Sequence, residues 1–150
     1  MPTAIVCDAA SMGRIVATFT VTNRADQVRA EAGILPADQV RTVTVEDVLV
    51  DTGATTLCLP ADLIAQLGLA PLREVVIATA TGTSRTHIYQ DAKIMLLGRE
   101  TTTECIELPT GRPPLLGVIP LEALGLELDL KSQRLRVLPD ETNDTYLTVM

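Results

Sequence analysis

Asp51-Thr52-Gly53-Ala54 is the segment of this 150-residue chain best placed to do chemistry. The apolar run Val48-Leu49-Val50 leads into it, and Thr55-Thr56-Leu57-Cys58-Leu59-Pro60 leads out. That pattern predicts a buried strand ending in a carboxylate on a tight turn, with a second strand leaving at once. A carboxylate held by rigid backbone can exchange protons in a fixed direction. Gly53 lets the chain turn where a Cβ would obstruct it. The hydroxyls of Thr52 and Thr55 can hydrogen-bond an ionised or proton-sharing carboxylate. An ordinary Asp-containing turn between strands has the same signature.

Other chemistries find little support. The three cysteines, Cys7, Cys58 and Cys105, are odd in number and share no motif spacing. They read as buried thiols in a reducing compartment, not as a disulfide framework. Cys58, on an apolar strand, reads as packing and not as a nucleophile. A single histidine, His87, and scattered cysteines do not make a metal-ligand set, so no metal or other cofactor is expected. The net charge of −7 comes with no basic stripe, which argues against nucleic acid. No apolar stretch is long enough to span a bilayer, so no membrane association is expected. Residues 1–11 lack the basic and apolar regions of a signal peptide, and the expected location is cytoplasmic.

The elements around the tetrapeptide follow from patterning. The length suggests one domain with a real core. With one Phe, two Tyr and no Trp, that core must be built from Val, Ile, Leu and Thr, which favours strands. Strands are expected over residues 14–22, 43–50, 57–59, 73–80, 86–97, 101–108 and 115–119. Residues 127–130 and 134–138 should form a closing hairpin. Residues 23–39 read as a polar surface excursion with a short helix over 25–32. Pro60 to Gly68 reads as a helix, with Asp62 at its positive end and Gly68 as its stop. A third short helix follows from Pro120, and residues 81–84 make the turn of a long hairpin. Many short strands with one or two short helices predict a mainly all-β fold, a small closed barrel. Residues 1–12 would be an N-terminal extension, 13–139 the domain and 140–150 a C-terminal tail.

In this order of elements, Leu49-Val50-Asp51-Thr52-Gly53-Ala54-Thr55-Thr56 and Leu115-Leu116-Gly117 resemble the retroviral-type (retropepsin-like) aspartic proteases, in particular their prokaryotic single-domain members. The resemblance implies an acid-protease barrel with a flap hairpin. It implies Asp51 as catalytic acid/base, Thr52 bracing the site across a two-fold axis and Gly53 bringing backbone close to a peptide. Ala54 stands where pepsin-like enzymes usually carry Ser, which implies a less acidic working pH. Thr55, Ile77, Thr79, Ala80, Thr81, Gly82, Thr83 and Leu115 would meet substrate from the flap and the pocket walls. Such chemistry needs two carboxylates sharing one proton. This chain has one Asp-Thr-Gly, so the implied enzyme is a homodimer that hydrolyses peptide bonds with an activated water. The alternative is a catalytically inactive dimeric module that keeps the barrel and the peptide groove.

Overall fold

The structure, a computed structural model, describes residues 15–138 together with Thr145 and Val149. The expected extension 1–12, the tail 140–150 (apart from those two residues), Cys7 and Arg14 lie outside the described residues. The chain runs β1 (Val16–Asn23), α1 (Arg24–Glu31), a 3-10 turn (Ala37–Gln39), β2 (Thr42–Val50), β3 (Leu57–Pro60) and α2 (Ala61–Leu67). It continues through β4 (Ala70–Thr79), β5 (Gly82–Leu96), β6 (Arg99–Leu108), β7 (Leu115–Leu116), α3 (Val118–Ala123), β8 (Leu126–Asp129) and β9 (Arg134–Val137). The class is mainly β, as patterning predicted. Among the described residues there are three short α-helices, at or next to the segments 25–32, 60–68 and from Pro120 where helix was expected.

Six strands form a ring of pairings. The order is β1-β2-β7-β3-β6-β5, and antiparallel pairing of β5 with β1 closes it through Thr20↔Met95 to Asn23↔Ala92. β4 hangs from the outer part of β5, which continues past the ring as a hairpin. β8 and β9 form a separate two-stranded sheet.

The site rests on β7. This two-residue strand inserts between the ends of β2 and β3, parallel to the first and antiparallel to the second. Alternation along each strand then sorts side chains to two faces. Val48, Val50, Leu57, Leu59 and Leu116 join the main core. Leu49, Cys58 and Leu115 join Ala54 in a second, smaller apolar cluster. β2 reaches this phase through a bulge. Glu46 and Asp47 are both exposed, and Asp47 takes a left-handed φ of 55°.

The excursion after β1 is ordered by charge, not by an apolar face. Asn23 Oδ1 caps α1 by accepting from the Asp26 amide at 3.0 Å, and its Nδ2 donates to the Leu67 carbonyl at 2.8 Å. The buried Asp26 carboxylate accepts from Arg41 Nε at 2.8 Å, Nη2 at 3.0 Å and the Arg41 amide at 3.1 Å. The side-chain bond from Arg41 holds the Asp26 carboxyl below the usual carboxylate range. α2 ends as the sequence predicts, with Gly68 left-handed at φ 63°.

Three of the boundaries that differ from the sequence reading bear on the site and the hairpin. The expected strand 115–119 stops at Leu116, and Val118-Ile119 begin α3. The reason is a long-range contact: the amides of Gly117, Val118 and Ile119 donate to the carbonyls of Thr56, Ala54 and Thr55, each at 3.0 Å, which leaves no strand ladder to continue. Pro120 then falls in the first turn, where no amide is required of it. The flap turn is Ala80-Thr81, not residues 81–84, because Thr79 pairs directly with Gly82. β4 begins at Ala70 rather than at residue 73, since Ala70 and Pro71 pair with Gln90 and Tyr89.

Gly117 has no room for a side chain. A Cβ there would lie 2.5 Å from the Thr56 carbonyl oxygen, 2.6 Å from the Thr56 nitrogen and 2.7 Å from the Ala54 carbonyl oxygen. All three are backbone atoms that cannot swing aside. Gly117→Ala should therefore lower unfolding free energy by about 2 kcal/mol or more, as overpacking against fixed atoms does. Urea denaturation followed by circular dichroism measures it, and an unchanged midpoint would remove the close approach.

Candidate active site

Asp51 sits immediately after β2 with no exposed surface. Its main chain is held on both sides: its amide donates to the Leu116 carbonyl, and its carbonyl accepts from the Ala54 amide, both at 3.0 Å. Its side chain turns back on the loop, where Oδ1 accepts from the Gly53 amide at 2.8 Å. The other oxygen, Oδ2, is buried and has no hydrogen-bond partner.

These surroundings act on the proton. Burial pushes the Asp51 carboxyl above the ordinary carboxylate range, and the neighbouring amides of Gly53 and Ala54 pull partly against it. The nearby Cys58 thiol is pushed up to about 12, first by burial and then by the Asp51 charge. Cys58 is thus a neutral wall of the site, and its free thiol is buried. Burial favours the protonated form of Asp51, and its unpartnered oxygen can accept from or donate to whatever faces it.

The expected site residues fall in two places. Asp51, Gly53, Ala54 and Leu115 come together around the turn. Ala54 and Leu115 are buried in the apolar cluster with Leu49 and Cys58, against which Ile106 and Leu108 pack. Gly53 is half-buried and contributes its amide. Thr52 and Thr55 are exposed, and the carboxylate's hydrogen bond in the single chain comes from main chain rather than from their hydroxyls. Ile77, Ala80, Thr81, Gly82 and Thr83 lie at the other place, the outer end of the β4–β5 hairpin, where Thr79 ends β4. Ile77 is half-exposed and Ala80 to Thr83 are exposed. Exposed ion pairs brace the hairpin, Arg85 with Glu74 at 2.9 Å and Arg73 with Glu104 at 3.2 Å. His87 is exposed and packs edge-on to Tyr89 with ring centroids 6.5 Å apart.

The sequence reading gave no part to Thr56. Its buried hydroxyl lies 3.0 Å from the Glu104 carbonyl oxygen and 3.1 Å from Thr103 Oγ1, tying the turn's exit to β6. A threonine at the start of an apolar strand was the available signal.

The family described as gag-polyprotein putative aspartyl protease matches residues 39–123, from just before β2 through α3. The chain belongs to that family. No curated protein matches it. The matched stretch contains the Asp51 turn, the β4–β5 hairpin and the inserted β7.

A buried acid raised above its unfolded value weakens the fold as pH climbs through the titration range. Below the unfolded pKa both states are protonated and nothing is lost. Above the folded pKa the full penalty is present. Asp51→Asn removes this titration. The variant's stability relative to the unmodified protein should rise from pH 3 to pH 7. Urea midpoints across that range test it, and a constant difference would contradict the raised value.

Proposed function

We propose that the protein is a homodimeric aspartic endopeptidase, in which Asp51 and its two-fold copy activate one water against a peptide bond. The observation that carries this reading is the buried Oδ2 of Asp51, unpartnered at the end of a rigid strand. A buried polar atom without a partner costs about 1–3 kcal/mol, and a catalytic role is one of the explanations for such a group. One chain supplies one Asp-Thr-Gly, so the second carboxylate comes from a second copy. Two carboxylates a few ångströms apart share a single proton and titrate as a pair.

The chemistry follows from that pair. The ionised member takes a proton from water as its oxygen attacks the scissile carbonyl carbon. The protonated member gives its proton to the carbonyl oxygen. Collapse of the tetrahedral intermediate breaks the C–N bond, and the amine leaves with a proton from the dyad. The Thr52 hydroxyls brace the pair across the axis. Residues 79–83 close over an extended peptide and add it to the hairpin as a strand, while Thr55, Ile77 and Leu115 border its side chains. The reaction uses no metal. The domain spans residues 13–139, and the free buried thiols of Cys58 and Cys105 suit a reducing cytoplasm.

A second reading has one observation in its favour. Asp51 has no exposed surface in the single chain, which suits a module that binds peptides without cutting them. Asp51→Asn separates the two. On the enzyme reading it lowers peptide hydrolysis about a thousandfold or more and abolishes capture of statine-type transition-state mimics, while sedimentation still finds the dimer. Unchanged cleavage by the variant would remove Asp51 from the chemistry.

Specific activity should also depend on protein concentration. It should fall on dilution below the dimer dissociation constant, in step with the dimer fraction from sedimentation. A monomer with full activity would rule out the half-site.

A further inference from the structure

We propose that Arg99 is a positioning residue for Asp51, acting through helix α3. Arg99 opens β6 and is almost completely buried. Its Nη1 donates to the Gly125 carbonyl at 2.7 Å and to the Leu124 carbonyl at 3.2 Å. Its Nη2 donates to the Leu138 carbonyl at 2.8 Å. One guanidinium therefore gathers the end of α3 and the residue just past β9. The Leu138 amide reinforces the junction by donating to the Gly125 carbonyl at 3.0 Å.

The other end of α3 is the Asp51 loop. The Val118 and Ile119 amides donate to the Ala54 and Thr55 carbonyls, and the Gly117 amide to the Thr56 carbonyl. Between the two ends lies a helix of six residues, one of them proline. So short a helix has little stability of its own and takes its position from what holds its ends. Arg99 holds one end, and the loop that aims Asp51 hangs from the other. A planar, permanently charged fork suits three converging carbonyls, and a lysine cannot reproduce it. Displacement of about 1 Å at a reacting group can slow a reaction about a hundredfold. Loosening α3 should thus reach Asp51 although Arg99 touches neither it nor substrate.

The test compares full-length Arg99→Met and Arg99→Lys with the unmodified protein by amide hydrogen exchange and by carboxyl carbon titration of Asp51. In Arg99→Met the Val118, Ile119 and Leu138 amides should exchange about tenfold faster or more, while Val21 and Ile94, paired across β1 and β5, keep their rates. The Asp51 midpoint should move down toward the ordinary carboxylate range, and Arg99→Lys should fall between the two. Equal acceleration at all amides, unchanged rates at Val118 and Ile119, or an unmoved Asp51 midpoint would each overturn the proposal.

If Arg99→Met does not fold, native-state exchange of the unmodified chain in rising denaturant decides instead. Leu138, Val118 and Ile119 must then open as one unit, and separate opening overturns the proposal. Peptidase kinetics add a readout that rests on the enzyme reading above: kcat should fall with KM nearly unchanged. Should the unmodified chain cleave no peptide, that reading fails, and exchange and titration still decide the role of Arg99.

Discussion

Everything at the site depends on the wedging of β7 between β2 and β3. Two residues, Leu115 and Leu116, join strands that would otherwise diverge at the Asp51 turn. Gly117 then passes so close to Thr56 and Ala54 that only a hydrogen fits. The three amides that follow are aimed at the loop carbonyls, and the Leu116 carbonyl takes the Asp51 amide. Each such bond contributes on the order of 1 kcal/mol net. Their larger effect is geometric, because they fix the loop from both sides through main chain alone. The side chains of Thr52 and Thr55 are thereby left free to face outward.

That arrangement sets stability against function. Leu49, Ala54, Cys58 and Leu115 form an apolar shell beside the carboxylate, and one of its oxygens has no partner. The same burial raises both the acid and the neighbouring thiol. The bond from the Gly53 amide to Oδ1 is the one an Asx turn makes, and Oδ2 is left over. An apolar residue at position 51 would suit the shell better, so packing alone gives no reason for an acid there.

Local sequence signals carried the parts of this fold with local causes. The apolar lead-in to Asp51, the stop at Gly68 and the hairpin of β8 and β9 all depend on residues within a few positions of one another. Long-range causes left no such trace. Val118 and Ile119 look like strand residues, yet their amides are claimed by a loop more than sixty positions earlier. The polar stretch 23–39 shows little amphipathic pattern, because α1 is fastened by the Asp26–Arg41 pair rather than by an apolar stripe. Thr52 and Thr55 look like natural partners for the carboxylate, but the turn sends them outward and supplies the Gly53 amide instead. Arg99 is a charged residue at a hairpin exit, a position that usually means solvent. Only the fold shows that it is buried among carbonyls.

The exposed surroundings of Asp51 bear on the proposed dimer. Thr52 and Thr55 flank a buried carboxylate, and Ile119, on the helix bonded to the same loop, is 53% exposed. Hydroxyls that can both donate and accept, beside an apolar side chain, suit a surface meeting its own copy across a two-fold axis. A lone buried acid with a raised pKa is a liability at neutral pH. Two of them brought face to face hold one proton between them, which gives each orphaned oxygen a partner and halves the charge that must be buried. In the proposed dimer the feature that weakens the single chain thus becomes the bond that joins two of them, with the water for hydrolysis held at the same point.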